Sequence, residues 1–197
     1  MNTTTFTPEN SVMLLIDHQV GTMGWVGSLE LDEIKKNTVA LARAAKETCM
    51  PLILTSSMED QAQGPLFEEL TNVVPDAYEN RIQRAGVVDC MKDDNFAAAV
   101  EATGRKNLIL AGITTDVCVV YPAITAKNAG YNVQVVVDGS GSPSTIADET
   151  ALRRMESHGI TLTSTNQIIA ELAQDWSSQN GGKLIQILFE EVLSKLK

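Results

Sequence analysis

The sequence is poor in aromatic residues, histidine and cysteine, and it contains no long hydrophobic run. Aromatic side chains make up 5% of the chain, and only two histidines occur. No segment approaches the roughly 18 consecutive apolar residues of a membrane-spanning helix. The three cysteines (Cys49, Cys90 and Cys118) are widely spaced and odd in number, which fits neither a disulfide framework nor a zinc site. We therefore expect a fold that needs no disulfide, no metal and no cofactor.

Positive charge is also scarce. Lysine and arginine number 15 against 25 aspartates and glutamates, which gives a net charge of −10. This balance argues against nucleic acid or an anionic membrane surface as a partner. The first ten residues are polar and lack the basic start and apolar centre of a signal peptide. We expect a cytoplasmic protein whose partner is a small-molecule substrate.

Short apolar runs alternate with helix-like stretches along the 197 residues. The predicted strands are residues 12–16, 52–55, 80–84, 107–111, 132–137 and 160–163. The predicted helices are residues 31–48, 94–103, 116–128, 145–157 and 166–176. This alternation predicts an α/β fold with a parallel sheet covered by helices on both faces. Ligands bind beyond the carboxyl ends of the strands in such sheets, so the residues that follow each strand are the candidate site.

The C-terminal segment divides the chain into a predicted domain, residues 1–176, and a linker and helix, residues 177–197. Residues 177–182 read SSQNGG, which is typical of a linker. The apolar residues beyond it cover more than one face of a helix: Leu184, Ile185, Ile187, Leu188, Phe189, Val192, Leu193 and Leu196. Such a helix either docks on its own domain or makes an oligomer contact, and we favour the oligomer contact.

Cys118 follows a predicted strand and a turn, in the first turn of the next helix. Unpaired backbone N–H groups and the helix dipole lower the pKa of a thiol there, and the thiolate is the reactive form. The amides of the turn can also face a developing oxyanion. These features suit a nucleophile, although a buried structural cysteine is an equal alternative. Cys49 is explained by burial as a small apolar residue, and Cys90 is given no role.

Asp17 is the candidate partner of Cys118. It closes the first predicted strand, and the ends of strands 1 and 4 flank the crevice of a doubly wound sheet. A loop-capping role is the alternative for such an aspartate. His18 points to the opposite side of the strand, and His158 lies at a helix end. A carboxylate is therefore the better candidate for the general base and acid.

Four segments together resemble a known family. They read LLIDHQ at 14–19, RAG at 84–86, AGITTDVCV at 111–119 and VVVDGSGS at 135–142. Over residues 9–176 the sequence resembles the isochorismatase-like cysteine hydrolases, which include nicotinamidases and carbamoylsarcosine amidases. Residues 64–66 and 173–176 are most similar to the YcaC-like group. The resemblance implies a single-domain, three-layer α-β-α fold with a six-stranded parallel sheet and Rossmann-like strand order.

The resemblance also implies a catalytic triad. It carries Asp17 and Cys118 over directly, and it puts Arg84 where the family usually has lysine. Because arginine stays charged, its role would be electrostatic and orienting; a surface ion pair is the alternative. The family further implies a cis peptide between Ile113 and Thr114, with the amides of Thr114 and Cys118 forming the oxyanion hole.

The activity that the resemblance implies is hydrolysis of an amide-type C–N bond through a thioester. The metal-binding histidines of nicotinamidases have no counterpart in residues 56–64, so no metal is expected. Gln19, Trp25 and Tyr121 are candidates to line the pocket, and packing explains each equally well. The resemblance to the YcaC-like group implies a homo-oligomer such as an octamer.

Two other classes of function stay open at the level of sequence. Isochorismatase chemistry itself, the hydrolysis of a vinyl ether, needs an acid but no thiol. A non-hydrolytic oligomeric protein could instead keep Cys118 as a thiol sensor or in a binding site. The sequence does not name the substrate.

Overall fold

A parallel sheet forms the centre of the protein. The computed structural model describes residues 5–193, and within this range six strands make one sheet. The strands are β1 (Ser11–Ile16), β2 (Leu52–Ser57), β3 (Ile82–Arg84), β4 (Asn107–Gly112), β5 (Asn132–Val136) and β6 (Thr161–Thr163). Their order across the sheet is β3-β2-β1-β4-β5-β6. This order confirms the predicted Rossmann-like arrangement, with β1 and β4 side by side.

Helices cover both faces of the sheet. They are α1 (Val20–Met23), α2 (Leu31–Glu47), α3 (Glu68–Val73), α4 (Pro75–Glu79), α5 (Asp94–Ala102), α6 (Val120–Asn128), α7 (Thr145–Ser157), α8 (Thr165–Ala173) and α9 (Gln179–Ile187). One core lies between the sheet and α2, α8 and α9, and the other between the sheet and α5, α6 and α7. None of the helices in residues 5–193 is both long and apolar enough to cross a membrane.

The central strand β1 supplies both cores. Met13 and Leu15 pack into the core beneath α2, whereas Leu14 and Ile16 pack into the core beneath α6. Successive side chains of a strand point to opposite faces, so a strand covered on both sides must be apolar throughout. This requirement explains the nearly continuous apolar run in the sequence.

The observed helices depart from the predicted ones in several places, and the short α1 is one of the helices that were not predicted. The segment between β2 and β3 contains α3 and α4, which the sequence analysis did not predict; Pro75 begins α4, a position that proline favours. The predicted helix 116–128 is not a single α-helix. Its first part is a π-helical turn, Thr115–Val119, and α6 begins only at Val120.

The C-terminal segment docks on its own domain. The helix begins earlier than the predicted linker allowed: α9 starts at Gln179, and the Ser178 hydroxyl caps it by accepting the Gly181 N–H at 2.9 Å. Leu184 and Ile187 are buried in the core that α2 and α8 share. Phe189 remains exposed. Leu196, which the sequence analysis assigned to the same apolar surface, lies outside the described residues.

Candidate active site

Asp17 lies at the carboxyl edge of the sheet, directly after β1. Its backbone has a positive φ of 55°, and its N–H donates to the Thr55 carbonyl at 2.9 Å. The Asp17 carbonyl accepts the Thr22 hydroxyl at 2.9 Å. These contacts turn the chain sharply at the end of β1 and fix a carboxylate side chain that is almost fully buried.

Arg84, the last residue of β3, holds the Asp17 carboxylate. Its Nη2 donates to both carboxylate oxygens, its Nε donates to the Thr55 hydroxyl at 3.0 Å, and its Nη1 donates to the Val87 carbonyl. The two charged side chains are 0% and 1% exposed, so this is not the surface ion pair considered as the alternative. A buried charge needs a partner, and each of these two side chains supplies it for the other.

Cys118 lies in the π-helical turn that follows β4. The register of the sheet pairs Ile16 with Gly112, which brings this turn against the end of β1. The Cys118 thiol lies beside the Asp17 carboxylate, where the two groups interact, and the Thr114 backbone also lies close to the sulfur. The Ile113–Thr114 peptide is cis, as the resemblance implied. The structure thus brings Asp17, Arg84, Thr114 and Cys118 into one cluster.

The electrostatics of Cys118 correct one prediction. Burial, followed by the Asp17 charge and its hydrogen bond, raises the pKa of Cys118 to about 12, although Arg84 and the Thr114 N–H oppose this. The lowered pKa expected from the helix start was therefore wrong, because removal from water and a neighbouring carboxylate outweigh the turn amides. The free protein keeps the neutral thiol, so a base must remove its proton.

Asp17 is placed to be that base. Burial raises the pKa of Asp17 above its ordinary value, while the charge and hydrogen bonds of Arg84 and the hydrogen bond from Cys118 oppose the rise. A carboxylate with a raised pKa is a stronger base, and this one lies beside the thiol. The cluster can therefore transfer a proton from sulfur to oxygen as the sulfur attacks an electrophile.

The two histidines do not compete for this role. His18 is fully buried, its Nε2 contacts the Gly139 carbonyl at 2.9 Å, and burial lowers its pKa to about 4. It is a neutral core residue that ties the end of β1 to the segment after β5. His158 is exposed at the end of α7.

The residues considered for the pocket lie in different settings. Gln19 is buried, and its amide donates to the Ser57 and Gly64 carbonyls while accepting the Ser57 N–H, which are packing and loop-holding contacts. Trp25 is 51% exposed and Tyr121 is 38% exposed. The Arg154 guanidinium lies over the Tyr121 ring, 5.1 Å from its centroid.

The other cysteines and the acidic residues add no metal site. Cys49 is exposed, which corrects the expected burial, whereas Cys90 is buried. In the part of the chain that the structure describes, no group of three or more histidine, cysteine, aspartate or glutamate side chains is arranged to hold a metal ion.

Sequence reasoning missed Thr55. The hydroxyl of this buried residue accepts a hydrogen bond from the Arg84 Nε–H and donates one to the Ile82 carbonyl at 2.7 Å. It therefore orients the guanidinium toward Asp17. The sequence could have revealed this residue, since a threonine near the carboxyl end of an apolar strand is a polar group at the ligand-binding edge of the sheet.

Comparison with known proteins places the chain in a family. The Isochorismatase domain model matches residues 11–167. The chain belongs to the isochorismatase family of hydrolases. The Escherichia coli (strain K12) protein named "Probable hydrolase YcaC" is 38% identical over 174 residues, which cover 88% of this chain and 83% of that protein.

Two solved structures extend the similarity over almost the whole chain. YcaC from Pseudomonas aeruginosa matches with a TM-score of 0.93 and 34% identity, covering 100% of this chain and 96% of that one. YcaC from Escherichia coli, described as an octameric hydrolase of unknown specificity, matches with a TM-score of 0.92 and 35% identity over 98% of this chain and 94% of that one. The fold and family predicted from the sequence are confirmed.

Because Asp17 lies beside Cys118, we expect the loss of the Asp17 charge to change the pKa of the Cys118 thiol. Asp17→Asn should lower the pKa of Cys118 by about 1–3 units, because a like charge close to the thiolate is lost while Arg84 remains. The measurement is the rate of alkylation by iodoacetamide against pH, read on the peptide that contains Cys118.

Glu59→Gln is the control, because it removes a carboxylate that pairs with Arg81 at 2.7 Å outside the Asp17 cluster. It should leave the dependence of Cys118 alkylation on pH unchanged. An unchanged or raised Cys118 pKa in folded Asp17→Asn would show that the Asp17 charge does not act on the thiol.

Proposed function

We propose that this isochorismatase-family protein hydrolyses an amide-type C–N bond of a small molecule through a thioester on Cys118. The observation that carries the proposal is the position of the Cys118 thiol beside a buried carboxylate, Asp17, that Arg84 fixes in place. A nucleophile, a base and a residue that orients the base are the parts that covalent catalysis requires.

The reaction proceeds in two halves. Asp17 takes the thiol proton while the Cys118 sulfur attacks the carbonyl carbon, and the amides of Thr114 and Cys118 stabilise the oxyanion. The C–N bond breaks as Asp17 returns the proton to the leaving amine, which leaves a thioester. Asp17 then activates water, which attacks the thioester and releases the acid while the thiol is regenerated. Arg84 keeps its charge throughout and positions the carboxylate.

One relative supports this proposal. The YcaC structure from Pseudomonas aeruginosa contains covalent acrylamide. Acrylamide is a small primary amide with an electrophilic double bond, and thiols add to it readily. A related protein that bonds covalently to such a molecule is consistent with a reactive nucleophile in this family.

Vinyl-ether hydrolysis is the alternative that the family name suggests. It requires proton donation by an acid such as Asp17 but no attack by sulfur. The two reactions therefore differ in their need for Cys118, and they can be separated by one substitution.

The experiment is turnover of a panel of small primary amides, ureides and carbamoyl compounds. The wild type should release an amine or ammonia from at least one of them, and Cys118→Ala should lower that rate by about 10³-fold or more, because it removes the nucleophile. Cys49→Ala, which removes an exposed cysteine, is the matched control and should keep the rate. An unchanged rate in Cys118→Ala would overturn the thioester mechanism and favour an acid-only reaction.

We also propose that the chain forms a homo-oligomer. Escherichia coli YcaC is described as octameric. Exposed large apolar side chains of this chain concentrate on the segments around the carboxyl edge of the sheet: Trp25, Val87, Val88, Val117, Tyr121 and Ile146. Burial of such a surface against a second copy would remove it from water. We call this surface the apolar rim.

Light scattering tests the assembly with two substitutions of matched exposure. The wild type should have a mass that is a multiple of 21.3 kDa. Ile146→Glu, at a residue of the apolar rim that is 65% exposed, should shift the mass toward the monomer, whereas Phe189→Glu, at 61% exposure, should not. The reverse result would place the contact on the C-terminal helix, and a monomeric wild type would contradict the oligomer.

A further inference from the structure

The turn that carries Cys118 is held from outside by the loop that follows β5. The first N–H groups of a helix have no partner within it. Here the Thr115 N–H donates to the Gly141 carbonyl at 2.9 Å, and the Asp116 N–H donates to the Ser142 hydroxyl at 3.2 Å. The position of the turn therefore depends on residues 140–142, which belong to another part of the chain.

This loop continues the pairing between β4 and β5. Ile113 and Gly141 form a parallel bridge, and the Gly112 N–H donates to the Ser140 hydroxyl at 3.0 Å. Ser140 and Ser142 are both completely buried. The two serines of the GSGS segment thus contact the backbone on both sides of the Ile113–Thr114 peptide.

Ser142 is itself fixed by a carboxylate. Its hydroxyl donates to Asp148 Oδ1 on α7 at 2.7 Å, and its N–H donates to the Ser28 hydroxyl at 2.9 Å. A hydroxyl has one hydrogen to donate. Because that hydrogen is committed to Asp148, the lone pairs of the Ser142 oxygen remain directed at the Asp116 N–H.

We propose that Asp148 is a positioning residue for Cys118 that acts through the Ser142 hydroxyl on the Asp116 amide. Asp116 lies two residues before Cys118, in the same π-helical turn. Displacement of a reacting group by about 1 Å can cost about 10²-fold in rate. The relay from α7 through Ser142 keeps the thiol in contact with Asp17. Its importance for catalysis rests on the proposed role of Cys118.

Alkylation of Cys118 by iodoacetamide against pH tests the relay without any substrate. Ser142→Ala breaks the relay and leaves the charge of Asp148 in place. The freed thiol loses its contact with Asp17 and gains water, so its pKa should fall by about one unit or more toward the ordinary thiol value of about 8.5. The alkylation rate at a fixed pH below both values should then rise about tenfold or more.

Two substitutions of Asp148 separate positioning from charge. Asp148→Ala should match Ser142→Ala, whereas Asp148→Asn, which keeps an acceptor oxygen but not the charge, should stay close to the wild type. If the charge of Asp148 acted on Cys118 directly, Asp148→Asn would match Asp148→Ala, and Ser142→Ala would change nothing. That result would overturn the relay, as would unchanged profiles in all three variants.

Ser164→Ala is the control for a lost helix cap, because the Ser164 hydroxyl accepts the Gln167 N–H at 3.3 Å at the start of α8. It should leave the Cys118 profile unchanged. If Asp148→Ala fails to fold, Ser142→Ala and Asp148→Asn still give opposite predictions. A lack of amide turnover would overturn the proposed function but would leave the outcome of these alkylation measurements intact.

Discussion

The buried ion pair between Asp17 and Arg84 is the interaction on which the site depends. Two charges with no exposure to water are tolerable only when each is the partner of the other, and loss of one partner typically costs about 3–5 kcal/mol. The pair joins the ends of β1 and β3, with Thr55 of the intervening β2 orienting the guanidinium. It also fixes the carboxylate that contacts Cys118.

Burial determines the acidity of both Asp17 and Cys118. Removal from water raises the pKa of Asp17 and of Cys118. The Cys118 thiol therefore stays protonated, and the Asp17 carboxylate beside it is a stronger base than an exposed aspartate. In the proposed reaction, this arrangement keeps the thiol neutral until a substrate carbonyl is present, and the thiolate forms only as the sulfur attacks.

Much of this site could be predicted from the sequence, because strand ends reveal where ligands bind. The apolar run of β1 predicted a strand buried on both faces, and Asp17 at its end then fell beside Cys118. The raised pKa of Cys118 was missed, because it depends on burial and on how closely β1 approaches the turn after β4. The π-helical turn was also missed, since the N–H groups of Thr115 and Asp116 at its start find their partners in the loop 140–142 and not in their own helix. Contacts between distant segments of this kind leave no periodic signal in a sequence.

The most direct test of the thioester is the mass of the protein during turnover. Protein that is quenched in acid while it hydrolyses an amide should carry the acyl group of that amide on the peptide that contains Cys118. The same acyl mass should appear with two amides that share an acyl group and differ in their amine. Full turnover with no acyl group on Cys118 in either case would contradict the account.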